Sequence, residues 1–335
     1  MSKKVKIKLP NGNLYEGEVK KGIPHGQGTL KAIGRHKSLI SQYLKYDKLM
    51  ASSVFDRTKP ASYTEEEYSY KYVGSFENGK QYGYGVLTHY IDNDKSYKKH
   101  PKRFQKYLPK PRLTGKTITY KYEGEWKNNN YHGQGKLFIP GSGVPPSIYI
   151  GKWQNHKRHG KGTQLFGHPV FKRTVTGIWN KDKCHKGTLI CQNKEFYFEY
   201  DGEFTRGRHT LYEPMGRGIL KKIDKKFKIY SITKGKFLIG LRKGKCTVSY
   251  YKDHNFSKEL LKMEGVFNDE QLNGKGTITN YKGERYSVEF IRNRIQVKGK
   301  KIDFNKMKED YEKITRLDGK SWVRFDKERD FENYP

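Results

Sequence analysis

Hydrophobic residues make up only 33% of this 335-residue chain, and no apolar run approaches the roughly 20 residues that a membrane-spanning helix needs. A large globular interior and a helical membrane span are therefore not expected. Cysteine is scarce. Cys184, Cys191 and Cys246 are too few and too unevenly spaced for a zinc site, and an odd number suits reduced, buried thiols in an intracellular compartment. Acidic residues are outnumbered, with 35 Asp and Glu against 69 Lys and Arg, a formal net charge of +34. Also missing are a phosphate-binding loop, a kinase signature set and a nucleophile elbow. No secretory apolar segment precedes the first patterned residues. The expectation is a protein without catalytic residues, cofactor or metal.

What the chain has in abundance is tyrosine, phenylalanine and glycine, and they are ordered. In YEGEWKNNNYHGQG, Tyr122 to Gly135, strand geometry puts Tyr122, Gly124 and Trp126 on one face and Glu123, Glu125 and Lys127 on the other. Ile118 and Tyr120 continue the first set upstream, and Gly133, Gly135 and Leu137 resume it after Asn128-Asn129-Asn130. Two strands around an Asn-rich tip predict a β-hairpin, in which the glycines leave room for large rings on neighbouring strands.

The phrase recurs. Tyr15, Gly17 and Val19 lead to His25-Gly26 and Gly28; Tyr72, Gly74 and Phe76 lead to Gly83 and Gly85. Tyr149, Gly151 and Trp153 lead to His159-Gly160 and Gly162, and Val175, Gly177 and Trp179 lead to His185 and Gly187. Tyr200, Gly202 and Phe204 lead to Gly216 and Gly218, and Met263, Gly265 and Phe267 lead to Gly274 and Gly276. Worn copies start at Thr233 and Tyr286, with Cys246 and Val288 at glycine positions. The unit resembles the MORN repeat (membrane occupation and recognition nexus), roughly YxGxWxxGxxHGxG, and about nine copies span nearly the whole chain. The resemblance implies an all-β fold, an elongated antiparallel sheet of stacked hairpins, and says little about function. The recurring His25, His132, His159 and His185 occupy one repeat position, so a structural role near the turn is expected of them.

Domain organisation follows the spacing of the copies. An N-terminal repeat (1–34) precedes an insertion (35–62) in which Leu39, Ile40, Tyr43, Leu44 and Met50 stand near helical spacing and predict a short helix. A second repeat (63–90) precedes a basic arm (91–116), whose Pro101, Pro109 and Pro111 argue against one continuous helix. An array of about seven repeats (117–300) is followed by a C-terminal segment (301–335), with a helix expected over 305–317.

The positive charge far exceeds the magnitude of about 2–8 typical of a small soluble domain and points to an anionic partner. The partner-binding candidates are Lys98, Lys99, Lys102, Arg103, Lys106, Lys110 and Arg112 in the arm. The first functional reading is a scaffold in an intracellular assembly, cytoskeletal or axonemal, binding protein subunits with acidic surfaces such as tubulin. The alternatives are a tether to anionic lipid and an RNA-associated subunit. Nucleic acid ranks last, because no recognised RNA-binding signature supports it. The expected location is cytoplasmic, at the cytoskeleton or cilium, with uncleaved import into an organelle as the other route.

Overall fold

In the computed structural model, the residues described are 4–33, 68–92, 116–140, 146–167, 172–206, 212–296, 308–318 and 320. The 35–62 insertion lies outside them, as does the basic arm between Asp92 and Lys116. The chain divides into two compact units, residues 1–167 with 178–183, and residues 168–177 with 184–335. The expectation of an all-β, antiparallel chain of hairpins holds in both.

The first unit contains β1 (Lys4–Lys8), β2 (Leu14–Lys20), β3 (Ile23–Ile33), β4 (Tyr68–Glu77), β5 (Lys80–Asp92), β6 (Lys116–Lys127), β7 (Asn130–Ile139), β8 (Ser147–Gln154) and β9 (Lys157–Gly167). Each strand pairs antiparallel with the next, as an uninterrupted meander. The division between the units falls within β10 (Lys172–Asn180). In the first unit the register aligns Gly17, Gly28, Gly74, Gly85, Gly124, Gly135, Gly151 and Gly162 in one row across the strands.

A tyrosine lies over each pair of glycines in a hairpin. A Cβ added at Gly85 would sit 2.5 Å from the Tyr72 ring, and one at Gly135 would sit 2.7 Å from the Tyr122 ring. The ring covers the glycine of its own strand as well as its neighbour's, which the alternation alone did not suggest. Just beyond each pair the ladder is interrupted by a bulge, and Glu18, Ser75, Glu125 and Lys152 drop out of register. Their carbonyls accept hydrogen bonds from the hydroxyls of Tyr15 (2.6 Å), Tyr72 (2.9 Å), Tyr122 (2.9 Å) and Tyr149 (3.1 Å). The same tyrosine therefore fills the space above the glycines and satisfies the carbonyl that the bulge releases.

Two separate register shifts change expected alignments. Gly133 does not continue the strand alternation: its φ is +54°, and three residues around it oppose the single Glu125. Ile118 does not share the face of Tyr122. A register shift between His89 and Tyr90 pairs His89 with Tyr120 and Tyr90 with Ile118, skipping Thr119 and leaving Ile118 exposed. The tip is a two-residue loop, Asn128 and Asn129, both at positive φ, as the tightest hairpin turns require.

Successive hairpins are latched through these tips. The second tip residue donates its N–H to the carbonyl of the residue two positions past the preceding tip, in Asn129 N to Gln81 O (3.0 Å), His156 N to Tyr131 O (3.2 Å) and Asp182 N to Arg158 O (3.1 Å). Its side chain accepts the N–H of that same residue: Gln81 N to Asn129 Oδ1 (2.8 Å), Tyr131 N to His156 Nδ1 (3.4 Å) and Arg158 N to Asp182 Oδ1 (2.9 Å). Where the preceding residue is Pro24 it has no N–H to give, and the tip residue is Gly79, which has no side-chain acceptor; only the backbone bond remains, at 2.9 Å. In the second unit Pro214 and Gly240 repeat this substitution, also at 2.9 Å.

The second unit continues with β11 (Lys183–Gln192), β12 (Phe196–Arg206), β13 (Tyr212–Asp224), β14 (Ile229–Leu238), β15 (Leu241–Tyr251), β16 (Glu259–Asn268), β17 (Gln271–Asn280), β18 (Arg285–Ile291) and β19 (Arg294–Gln296). Its row reads Gly187, Gly202, Gly218, Gly235, Cys246, Gly265, and then Gly276 opposite Val288. Where tyrosine is lost, another side chain takes its volume. Val175 and Thr233 replace tyrosine, and the sulfurs of Cys184 and Cys246 lie against Gly177 and Gly235, respectively. All three cysteines are buried free thiols.

A helix, α1 (308–318), packs on the second unit through the fully buried Tyr311. At its end Asp318 meets the Lys222 ammonium, accepts a hydrogen bond from the Tyr250 hydroxyl (2.9 Å) and lies 3.5 Å from Arg242, which also pairs with Glu270. Burial opposes the charge on Asp318, but Lys222 and Arg242 outweigh it and hold the carboxyl below its ordinary value.

Candidate interaction surfaces

The aromatic face is occupied by the protein itself. Tyr72 meets Trp126 edge-on at 5.0 Å, Tyr122 meets Trp153 at 5.5 Å and Tyr149 meets Trp179 at 5.2 Å, each pair joining one repeat to the next. The indole N–H groups are also used: Trp126 donates to Gly85 O (3.1 Å), Trp153 to Gly135 O (3.2 Å) and Trp179 to Gly162 O (2.9 Å). In the second unit Tyr200 contacts Phe204 at 5.9 Å and Phe237 at 5.1 Å. All these rings are buried, and burial pushes the hydroxyls of Tyr72 and Tyr200 well above the ordinary phenol range. Across the described residues this face is a core.

The recurring histidines are not brought together for chemistry. His25, His132 and His159 are half-buried, each the first residue of the irregular segment of its hairpin, and His185 is exposed. The Nδ1 atoms of His25 and His132 are buried without a hydrogen-bond partner. Among the described residues no group of three or more His, Cys, Asp or Glu side chains could hold a metal ion. Gly160 and Gly133 both have positive φ, at +59° and +54°.

Two arginines were not singled out by the repeat phrase. Arg158 stacks over Trp179 at 4.4 Å and pairs with Asp182 at 3.1 Å, while Arg242 stacks over Phe267 at 4.7 Å and pairs with Glu270. Both follow a hairpin tip, at the latch position, and that shared offset was the available signal. They are interior supports, since both are committed to rings and carboxylates.

The opposite, outer face carries the exposed charge. In the first unit it includes the pairs Lys6–Glu16 (3.2 Å) and Lys121–Glu123 (3.4 Å), and the Tyr84 hydroxyl donates to Glu123 (2.9 Å). In the second unit Lys186, Arg217, Lys234, Lys236 and Lys245 are exposed on neighbouring strands. Lys98, Lys99, Lys102, Arg103, Lys106, Lys110 and Arg112, the candidates of the basic arm, lie outside the described residues. No helix among the described residues is long and apolar enough to cross a membrane.

A family model described as "MORN repeat" matches residues 15–32, 72–90, 122–143 and 149–167, so the chain carries four of these repeats by that criterion. A comparison with curated proteins found no match. All four matched repeats lie in the first unit, where tyrosine, paired glycines and an aromatic or aliphatic partner keep their regular order.

Proposed function

From the premise that this is a MORN-repeat protein, we propose that it is a non-enzymatic scaffold subunit of a large intracellular assembly, cytoskeletal or axonemal, that binds acidic protein partners. The observation that carries this reading is the division of labour between the two faces. The rings are consumed in holding repeat to repeat, so recognition falls to the outer face and the basic insertions. A net charge of +34 gives that recognition an electrostatic character.

Purification of the native assembly tests the proposal through the identity of its neighbours. Co-sedimentation with microtubules, anionic vesicles and RNA at one salt concentration then ranks the partner classes. Changing Lys98, Lys99, Lys102, Arg103 and Lys106 to glutamine should weaken partner binding and flatten its salt dependence while leaving the fold intact. Dominant binding to anionic vesicles would move the assignment to a peripheral membrane tether.

A further inference from the structure

On its outer face the second unit bears a shallow furrow, with a volume of about 620 Å³, floored by the backbone of Gly202, Gly218 and Gly235. These glycines turn toward the tyrosine side, so no side chain rises from the furrow floor. One wall is basic: Lys186, Arg217, Lys236 and Lys245 stand along it on β11, β13, β14 and β15. The other wall carries Asp201, Ile219 and Lys234, in register across β12, β13 and β14. All of these side chains are exposed, and among the described residues none of the five cations forms an ion pair. Of the carboxylates nearby, Asp201 and Glu203 are on β12, toward one end of the furrow, and Glu264, on β16 beyond the other end, is paired with Arg285 at 2.9 Å. At the β13–β15 end four cations face no opposing carboxylate on the walls.

We infer that this furrow docks an extended acidic segment of a partner protein, with its carboxylates gathered over β13–β15. The inference rests on the proposal that the chain is a protein-binding scaffold, and adds the surface and the chemistry of the partner. With strands about 4.8 Å apart, the furrow from β11 to β15 spans about 19 Å, the length of about six residues of extended chain. Alternate residues of such a chain share one side, so every second side chain faces the basic wall. Ile219, 40% exposed between Asp201 and Lys234 on its wall, offers an apolar contact to one residue of the segment. Nucleic acid is a poorer fit, because no aromatic side chain on either wall gives a base a stacking platform. A flat bilayer is a poorer fit as well, since the glycine floor is recessed between its walls.

The test uses the full chain with the five arm residues already changed to glutamine, so that the arm does not contribute. Its probe is a fluorescein-labelled decapeptide of alternating Glu and Ser, read by anisotropy. Adding Arg217→Gln, Lys236→Gln and Lys245→Gln should weaken binding about tenfold, as expected for the loss of three exposed charge contacts. Asp201→Asn should tighten binding about two- to threefold by removing a like charge. All four positions are exposed, so the fold should not be affected. Unchanged affinity in the triple variant would overturn the inference. So would absence of binding, or tighter binding of the parent chain to oligo(U) RNA or to phosphatidylserine vesicles than to the peptide. Acidic protein partners that still co-purify with the triple variant would overturn the furrow alone and leave the scaffold proposal standing. Partners lost from the arm variant but retained by a chain that carries the three furrow changes and an intact arm would assign recognition to the arm.

Discussion

The two units share one register but fill it differently. In the first, four tyrosines each cover a pair of glycines, and every ring passes a contact to the next repeat. Among the described residues of the second, only Tyr200 keeps that arrangement. Cys184 and Cys246 fill the volume in two other repeats, and Leu272 and Phe290 lie against Gly265 and Gly276. The interior there is a mixed cluster of Val248, Leu261, Met263, Phe267 and Ile278, closed by Tyr311 of α1. What persists across both units is the glycine row and the latched tip. The repeat therefore needs a close approach of backbones and some group of the right volume above it, and tyrosine is one solution among several. The matches of the family model fall in the first unit, where the tyrosine solution recurs from repeat to repeat.

The largest expected effects would come from breaking the feature peculiar to each unit. Trp153→Ala removes a buried ring that touches three tyrosines and should cost the first unit on the order of 3–5 kcal/mol. Asp318→Asn should cost the second unit a similar amount, on the order of 3–5 kcal/mol, because it leaves Lys222 buried without its counter-charge. Denaturant melts with site-resolved hydrogen exchange would assign each loss to its unit. Adding Lys222→Met to Asp318→Asn should recover much of the second loss, since a buried methionine needs no counter-charge. Failure of that rescue would mean that the loss does not come from an uncompensated Lys222 charge.

Acid should separate the units as well. Burial pushes His89 and His156 in the first unit down to about 4. A histidine whose folded value lies below its unfolded value stabilises the fold fully above the ordinary value of 6.5, and that contribution is lost as the pH falls to about 4. Asp318 in the second unit is held below 3.8, so its contribution is present above that value and is lost only below it. On acidification the first unit should soften earlier. His156→Asn keeps an acceptor of the kind Asn129 presents in the neighbouring latch and should shrink that early loss, measured as stability against pH between 7 and 4.

Much of the fold was legible because strand alternation is local. Tyr122, Gly124 and Trp126 share a face for reasons contained in five residues, and the resemblance extended that reading along the chain. What escaped depends on contacts between distant residues. The skip at Thr119 that exposes Ile118 is a register choice between β5 and β6, and no alternation within β6 records it. Lys222 and Asp318 are 96 residues apart, and neither stands in the repeat phrase. The furrow was hidden for a related reason: Lys186, Arg217, Lys236 and Lys245 belong to four strands and meet only in the sheet register. In the sequence they are four of 69 basic residues.

The smallest effect sharpens the comparison most directly, because it asks whether the two fillings are interchangeable. Thr233 and Cys246 together occupy the place of a tyrosine and a glycine, and the Cys246 sulfur lies over Gly235 where a ring hydroxyl would otherwise reach. Thr233→Tyr alone drives a ring into space already filled and should destabilise the second unit by about 1–3 kcal/mol. Cys246→Gly alone leaves a void and adds backbone freedom, and should cost a comparable or smaller amount, about 1–2 kcal/mol. The double variant restores the Tyr-Gly-Gly arrangement of the first unit, whose hydroxyl could bond the carbonyl of Lys236, the residue skipped by the bulge between Gly235 and Phe237. That carbonyl now lies 3.5 Å from the Cys246 sulfur, so the acceptor is already in position. The cycle should show a favourable coupling of about 0.5–3 kcal/mol, with the double variant more stable than the sum of its singles predicts. Strict additivity would break the comparison, showing that the cysteine and the tyrosine do not occupy one site and that the second unit departs from the repeat in its packing as well as in its sequence.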